Sequence, residues 1–251
     1  MKISVIIPTL NEAEHLNALL QRLYTNINRA IFEVIIVDGG STDTTVEIAQ
    51  QYPCKIILSE RQNRAYQMNL GALTAACEIL YFVHADTLPP NSFPHLIEKW
   101  IKNSCDLGCF RSKFDSDIQM LKINAWFSKF SFDWCRGGDQ SLFMRKEVFD
   151  RLDGYNDTYD IMEEYHFLQK AKKAHFRFKV VPADIVISDR KYKNNTWWQV
   201  NKANLKAWRM FKKGVASDII KRWYYNTLGY EIVNHKNESR SHLRNVNSFD
   251  N

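Results

Sequence analysis

Three short polar segments hold the side chains of this sequence that are best suited to chemistry. They are residues 8–12 (PTLNE), 38–43 (DGGSTD) and 84–87 (HADT). Carboxylates accept hydrogen bonds from a ribose or a base, and a divalent cation held by carboxylates can bind a diphosphate. Each segment taken alone is equally typical of a turn or a helix cap. Only a shared position in the fold therefore makes them a candidate site.

The elements that must position these segments alternate between strand and helix, which predicts a mostly parallel sheet with helices on both faces. Four short β-branched or aromatic runs predict parallel strands: 3–7, 32–37, 55–58 and 79–83. The first helix follows Asn11 and Glu14, which resemble a capping pair. Because ligands bind at the carboxyl ends of parallel strands, the three polar segments are expected to meet in one crevice.

The second half of the chain is less regular, and we expect mixed strands and loops there. Helices are predicted over four ranges: 93–101, 162–174, 196–213 and 218–225. Two strands, 176–181 and 185–187, are predicted on either side of Pro182. Residues 230–251 are rich in Asn, Ser, His and Arg, and they predict a disordered tail.

Composition limits the class of protein. The chain has 251 residues, 45% hydrophobic and 25% charged, as expected for one globular domain with short appendages. A net charge of +6 favours anionic ligands, and no nucleic-acid partner is expected.

The five cysteines lack CxxC spacing, so neither a disulfide framework nor a zinc site is expected. With no signal-peptide core and no apolar run near the roughly 20 residues of a spanning helix, we expect a cytoplasmic protein.

Four segments, in this order and spacing, resemble the nucleotide-sugar domain of family 2 glycosyltransferases: residues 6–12, 36–43, 64–72 and 84–87. The resemblance implies a GT-A fold, which is α/β, with a Rossmann-like, mostly parallel sheet flanked by helices and a mixed acceptor-side half. It implies one domain, whose nucleotide-sugar-binding half covers 1–110. The acceptor-binding and catalytic half would then cover 111–229.

The resemblance also implies which residues bind the nucleotide-sugar. Asp38 would accept hydrogen bonds from the base or ribose, and Arg64 would pair with Asp38 or Asp43, or reach a phosphate. The full implied set is Pro8, Thr9, Asn11, Glu12, Asp38, Gly39, Ser41, Asp43, Arg64, Gln67, Asn69, His84, Ala85 and Asp86.

A divalent metal, Mn²⁺ or Mg²⁺, is the implied cofactor, with Asp86 as its ligand. This sequence departs from the wider family at His84, where most members carry the first Asp of an Asp-x-Asp motif. A bacterial subgroup shares this histidine. Its imidazole could bind Mn²⁺ or contact the nucleotide, and both roles stay open.

Acceptor-side residues come from the second half of the chain. The residues that resemble the acceptor loop are Gly137, Gly138, Asp139 and Gln140. Glu164 takes the place of the family's general base, and Glu163 is the alternative. Arg190 is the candidate to close over the diphosphate. The implied reaction moves a sugar, with inversion, from a UDP- or GDP-sugar to a hydroxyl acceptor.

Residues 196–213 predict a basic helix rich in aromatic residues, and two hypotheses explain its composition. It could lie in a membrane interface and give access to a lipid-linked acceptor, which would make the protein peripheral at the inner face of the membrane. It could equally be a packing helix with a solvated lysine face. Two other functions stay open: a nucleotidyltransferase, disfavoured because residues 8–12 are not glycine-rich, and a non-catalytic nucleotide- or membrane-binding protein.

Overall fold

The first half of the chain forms the predicted alternation of strands and helices. The computed structural model describes residues 1–25, 32–130 and 141–230. Its first four strands are β1 (Ile3–Thr9), β2 (Phe32–Asp38), β3 (Lys55–Leu58) and β4 (Ile79–Phe82). They pair in parallel in the order β3-β2-β1-β4, which confirms the prediction. The helices between them are α1 (Ala13–Tyr24), α2 (Thr45–Gln50) and α3 (Arg64–Thr74).

The second half extends the same sheet with strands of both directions. Its elements are β5 (Thr87–Leu88), α4 (Phe93–Asn103), β6 (Leu107–Phe114), α5 (Leu121–Phe127), β7 (Leu142–Arg145), α6 (Lys146–Arg151), α7 (Glu163–Lys173), β8 (Phe178–Ile187), α8 (Arg190–Lys193), α9 (Trp197–Lys212) and α10 (Ser217–Leu228). The described residues build one eight-stranded sheet, β3-β2-β1-β4-β7-β6-β8-β5. Strand β7 lies antiparallel to both β4 and β6, so this half is mixed, as expected.

The two strands predicted around Pro182 are in fact one strand, β8. Phe110 of β6 pairs with Val181, and the next residue, Arg111, pairs with Asp184. Pro182 and Ala183 are thus bulged out of the register. A bulge accommodates proline, which has no N–H for the ladder, without ending the strand.

The predicted capping pair at the start of α1 is wrong. Asn11 has a φ of +53° in the left-handed region, and the N-cap residue of α1 is Glu12, whose side chain makes no capping hydrogen bond. The Asn11 side chain instead accepts a hydrogen bond from the Thr42 backbone N–H at 2.8 Å. The side chain predicted to cap α1 therefore joins the loops that follow β1 and β2.

Two buried clusters cover the two faces of the sheet. Alternate β1 residues pack with the leucines of α1 on one face, while Ile6 packs with α3 on the other. A Cβ atom added to Gly71 of α3 would lie 2.4 Å from Ile6 Cγ2, so only glycine permits this approach. Helix α3 begins at Arg64 because the side chain of Asn63 caps it, accepting a hydrogen bond from the Tyr66 backbone N–H at 2.8 Å. Among the described residues, no helix has the length and apolarity needed to cross a membrane.

Candidate functional site

The ends of β1 and β2 are joined by what we call the Asp38 cluster: Thr9, Asp38, Gly40 and Ser41. Asp38 is 1% exposed. Its Oδ1 accepts from Thr9 Oγ1 at 3.0 Å and Ser41 Oγ at 2.5 Å. Its Oδ2 accepts from the backbone N–H groups of Gly40 and Ser41 at 2.9 and 2.8 Å. A carboxylate has about four acceptor positions, so these four bonds use its full capacity.

Several residues predicted to bind the nucleotide-sugar hold the loops of this edge together. Asp43 accepts from the backbone N–H groups of Ala13 and Thr45, which lie at the first turns of α1 and α2. Gln67 is buried and donates to the carbonyls of Thr9 and Val37 at 2.8 and 2.7 Å. Through these contacts, Asp43 and Gln67 each hold neighbouring loops together in this structure.

The other residues predicted to bind the nucleotide-sugar at this edge are likewise engaged in packing or in hydrogen bonds to the backbone. The Asn69 side-chain amide donates to the Tyr155 backbone carbonyl at 2.8 Å and accepts from the Tyr155 backbone N–H at 2.9 Å. Pro8 is buried within β1, and Ala85 is 2% exposed in the core. The Gly39 backbone N–H donates to the Thr9 carbonyl at 2.8 Å. Their binding roles stay predictions.

A second group, the Arg64–His84 cluster, consists of Arg64, His84, Glu163 and Glu164. Arg64 Nε donates to Glu163 Oε1, and Arg64 Nη1 lies 3.4 Å from His84 Nδ1. His84 Nε2 lies 3.5 Å from Glu164 Oε1. The sequence predicts that Arg64 pairs with Asp38 or Asp43, or reaches a phosphate. The structure pairs Arg64 with Glu163 instead of either aspartate, and the contact with a phosphate stays a prediction. The separation of 99 residues explains why no local pattern indicates this pair.

The two glutamates of this cluster open α7, where a helix N-terminus favours negative charge. Glu163 is 1% and Glu164 8% exposed. Met162, immediately before them, has a φ of +69°, a strained conformation for a residue other than glycine. Glu163 Oε2 is buried without a hydrogen-bond partner among the described residues. The cluster thus keeps unused hydrogen-bonding capacity.

A third arrangement, the Arg190 bridge, joins Glu12 and Asp86 through Arg190. Nη1 of Arg190 lies 3.1 and 2.9 Å from the two carboxylate oxygens of Glu12, and Nε lies 2.9 Å from Asp86 Oδ2. Burial raises the pKa of Glu12, and the nearby Asp86 charge adds to this, while Arg190 opposes both. Two carboxylates, from the ends of β1 and β4, therefore share one cation.

A cleft of about 1040 Å³ runs past these groups. Its charged lining residues include Glu12, Arg64, Glu163, Glu164 and Arg190. Its aromatic lining residues include Phe127, Trp197, Tyr224, Tyr225 and Tyr230. Such a cleft can hold a ligand that has both an anionic group and apolar or sugar-like surface.

A family model described as Glycosyl transferase family 2 matches residues 4–147, more than half of the chain. The chain belongs to glycosyl transferase family 2. The matched residues contain β1 to β4 and reach past β7, so they include the Asp38 cluster and two members of the Arg190 bridge. They also include Arg64 and His84.

Curated relatives of this family 2 glycosyltransferase include dolichol-phosphate mannosyltransferase of Pyrococcus furiosus, which is 36% identical over 114 residues. The match covers 43% of this chain and 32% of that protein. The succinoglycan biosynthesis protein ExoA of Rhizobium meliloti is 28% identical over 195 residues, 69% of this chain and 58% of ExoA. The chain thus spans about a third to somewhat over half of the length of these relatives.

Solved structures of similar fold include mannosyltransferase PcManGT from Pyrobaculum calidifontis, in complex with GDP-Man and Mn²⁺. Its TM-score is 0.64 at 20% identity, over 91% of this chain and 73% of that one. TarS of S. aureus in complex with UDP-GlcNAc gives 0.62 at 20% identity, over 76% and 59%. The fold of this family 2 glycosyltransferase is accordingly α/β of the GT-A type, as the resemblance implies.

The residues present fit a hard divalent cation of the kind expected for this family 2 glycosyltransferase. Within 1–25, 32–130 and 141–230, no three His, Cys, Asp or Glu side chains are grouped to hold a metal. Glu12 and Asp86 nevertheless converge on one cationic group, the Arg190 guanidinium. Mg²⁺ and Mn²⁺ accept oxygen ligands, and Mg²⁺ is commonly held by one or two carboxylates together with substrate phosphates and water.

Part of the predicted acceptor side lies outside the described residues. The residues concerned are Gly137, Gly138, Asp139 and Gln140. The predicted tail, from residue 231 onward, also lies outside the described residues. Glu163, Glu164 and Arg190 are described, and all three line the same cleft.

The aromatic residues at the site were not predicted from the sequence. Tyr155 is buried, and its hydroxyl has no hydrogen-bond partner among the residues that the structure describes. Burial raises the pKa of Tyr155, and the charges of Glu164 and Glu163 add to this. Tyr224 and Tyr225 reach the cleft from α10. Tyr155 itself belongs to the buried core beside the two glutamates. No local signal separates Tyr224 and Tyr225 from ordinary packing residues, since only tertiary contacts bring them to the cleft.

Proposed function

We propose that this protein is an inverting, metal-assisted glycosyltransferase that moves a sugar from a nucleoside diphosphate-sugar to a hydroxyl acceptor. One observation carries the proposal. The buried carboxylate of Glu164 and the paired carboxylates of Glu12 and Asp86 lie at the carboxyl edge of one sheet. The first is suited to take a proton, and the pair is suited to hold a cation beside a diphosphate.

Glu164 is proposed as the general base. Both glutamates line the cleft, but Glu163 is held in an ion pair by Arg64, whereas within the described part of the chain Glu164 makes only a long contact with His84. Glu164 takes the proton of the acceptor hydroxyl as its oxygen bonds to the anomeric carbon. The bond from that carbon to the diphosphate oxygen breaks with its electron pair, and attack from the opposite face inverts the configuration.

Asp86 and Glu12 are the residues proposed to hold Mn²⁺ or Mg²⁺ together with the diphosphate. When bound, the ion neutralises the charge that develops on the departing nucleoside diphosphate. Arg190 now occupies the space between these carboxylates, and its guanidinium is suited to bind phosphate oxygens bidentately. We propose that Arg190 moves onto the diphosphate when the donor enters.

The two halves of the domain divide this work in the proposal. Residues 1–110 bind the donor, and residues 111–229 supply the base and the acceptor side. PcManGT is solved with GDP-Man and TarS with UDP-GlcNAc, which supports a GDP- or UDP-sugar as donor. His84 opens the His-Ala-Asp-Thr segment, which stands where most family members have the Asp-x-Asp metal motif.

A nucleotide screen tests the proposal. Thermal unfolding is followed with UDP, GDP, ADP and their sugars, each with and without Mn²⁺. We expect one diphosphate with Mn²⁺ to raise the free energy of unfolding by about 2.7 kcal/mol at a hundredfold excess over Kd, and its sugar form to be turned over. Stabilisation only by nucleoside triphosphates, with pyrophosphate release, would indicate a nucleotidyltransferase. Binding without any turnover would indicate a non-catalytic protein.

We further propose that α9 touches a membrane surface and thereby brings a lipid-linked acceptor to the cleft. Its exposed face carries Trp198, 61% exposed, with Lys202, Leu205, Arg209 and Lys212 at helical spacing. Sedimentation with anionic vesicles tests this contact. Trp198→Ser should lower the bound fraction severalfold, whereas Ile219→Ser, at an apolar position on α10 that is 50% exposed, should not. Equal binding by both variants contradicts the proposal.

A further inference from the structure

His84 lies between a residue that can only donate hydrogen bonds and a carboxylate that can only accept them. Arg64 Nη1 is 3.4 Å from His84 Nδ1, and His84 Nε2 is 3.5 Å from Glu164 Oε1. A guanidinium has no acceptor, so Nδ1 must accept from Arg64 through its lone pair. The ring proton then resides on Nε2 and points at Glu164. The two contacts together select one tautomer and one ring orientation.

We propose that His84 is a positioning residue that holds the carboxylate of Glu164 through an Nε2–H hydrogen bond, and that it is not a metal ligand. The inference rests on the proposed function, in which Glu164 is the base. It assigns the histidine of the His-Ala-Asp-Thr segment to the acceptor chemistry and leaves the metal to Asp86 and Glu12.

The surroundings of Glu164 explain why such a contact is needed. A glutamate has one more rotatable bond than an aspartate, so its carboxylate must be held if it is to meet the acceptor hydroxyl in a fixed position. His84 is 9% exposed and Glu164 8% exposed, so water competes little for this bond. Contacts of this length in a protein without substrate commonly shorten when the substrate binds.

Arg64 performs two tasks in this arrangement. Its Nε holds Glu163, and its Nη1 sets the orientation of the His84 ring. The neighbouring glutamate is thereby removed from competition for the Nε2 proton. One arginine at the start of α3 thus fixes both the residue beside the base and the residue that holds the base.

A metal bound to His84 would conflict with these contacts. Metal ligation needs a lone pair on a ring nitrogen, but Nδ1 faces the Arg64 guanidinium and Nε2 carries the proton. A dication on Nδ1 would also lie near the positive charge of Arg64, which costs free energy. Asp86, two residues along the chain, faces Arg190 and Glu12 instead.

Two His84 variants test the inference, with Asp86→Asn as the reference for metal loss. His84→Gln keeps an amide N–H long enough to reach Glu164, while the shorter His84→Asn keeps an acceptor for Arg64 but not the reach. We expect His84→Asn to lower kcat about 10- to 100-fold, with the donor KM and the affinity for Mn²⁺ plus GDP or UDP within about twofold of wild type. His84→Gln should restore most of kcat. Asp86→Asn should lose metal affinity.

The inference is overturned if His84→Asn weakens Mn²⁺–nucleotide binding as strongly as Asp86→Asn, because His84 is then a ligand. Equal loss of kcat in His84→Gln and His84→Asn also overturns it, since the direction of the N–H would not matter. A ¹⁵N NMR spectrum of histidine-labelled wild-type protein is independent of any variant. It should show His84 protonated on Nε2 and not on Nδ1, and the opposite tautomer contradicts the inference. A wild-type protein without turnover would instead contradict the proposed function.

Discussion

At the carboxyl edge of the sheet, Asp38 and Glu163 are equally buried, yet their carboxylates have very different surroundings. Asp38 accepts four hydrogen bonds of 2.5 to 3.0 Å, three of them from residues within its own loop. Glu163 has a single ion pair with Arg64, and its second oxygen has no hydrogen-bond partner among the described residues. The two contacts of His84 within the Arg64–His84 cluster are 3.4 and 3.5 Å long.

This difference separates a structural cluster from a reactive one. A buried carboxylate with all its acceptor positions filled is fixed in place, and removing it leaves several donors unpaired. A buried cluster with open capacity is costly for the fold and is retained where a ligand or a proton completes it. We therefore propose that the Asp38 cluster serves mainly stability and that the Arg64–His84 cluster serves the chemistry.

The largest effect is expected on the reactive side. Glu164→Gln removes the proposed base while keeping the size of the side chain, so kcat should fall by about 10²- to 10⁴-fold with little change in thermal stability. Turnover of the nucleotide-sugar and a melting curve measure the two quantities. Glu14→Gln, at an exposed carboxylate of the same cleft, is the matched control and should keep wild-type kcat. Equal kcat in Glu164→Gln and wild type would remove the distinction between the clusters.

The next effect concerns the Asp38 cluster. Asp38→Ala leaves four donors without an acceptor and should lower the free energy of unfolding by about 3 kcal/mol, measured by urea denaturation. Asp38→Asn should cost less, because its carbonyl oxygen can serve the two backbone N–H groups and its NH₂ group can donate to the two hydroxyls. If Asp38→Ala keeps its stability but no longer binds nucleotide, the cluster is a binding site, as the family resemblance implies.

A smaller effect is expected at the Arg190 bridge. Arg190→Gln removes the cation that Glu12 and Asp86 share, so Mn²⁺ alone should bind about fivefold more tightly, equivalent to about 1 kcal/mol. Binding of the nucleoside diphosphate should weaken, because a phosphate partner is lost. Calorimetric titrations with each ligand measure both changes. Lys193→Gln removes an exposed charge on the same helix and should change neither; weaker Mn²⁺ binding in Arg190→Gln would mean that Arg190 does not compete with the metal.

The smallest effect is expected far from both clusters, at the Asp106–Arg177 ion pair. Hydrogen bonds from the Arg177 side chain hold the pKa of Asp106 below its usual 3.8. The pair therefore adds stability above that pH, and the contribution is lost as the pH falls through the lowered pKa. Asp106→Asn should lower the free energy of unfolding by less than about 1 kcal/mol at pH 7, since Arg177 is exposed.

Melting temperatures of wild type and Asp106→Asn, compared between pH 7 and about pH 3, measure this contribution. The difference should shrink towards zero at the lower pH, with kcat unchanged at pH 7. A difference that grows on acidification would contradict the assignment. This pair sets the scale of an ordinary surface ion pair against which the two buried clusters are judged.

Local pattern was sufficient for the parallel half of the fold. The β-branched and aromatic runs predict β1 and β4 well because their residues are buried on both faces of the sheet. The edge strand β3 is only partly buried, but it carries the same kind of run. Local pattern failed where the backbone conformation depends on contacts with residues that are distant in the sequence. Asn11 takes the left-handed conformation because its side chain bonds the loop after β2, and Pro182 sits in a bulge that leaves β8 unbroken.

By itself, the sequence determined the fold class, the family and the edge of the sheet at which polar residues gather, because the period of apolar residues and the polar strand ends are local properties. Tertiary structure alone decided the partners: Glu163 for Arg64, Glu164 for His84, and Glu12 for Arg190, pairs that lie 99, 80 and 178 residues apart. The free energy of a buried charge depends on which donors surround it in space. Which carboxylate is satisfied and which stays open is therefore settled only when the chain has folded.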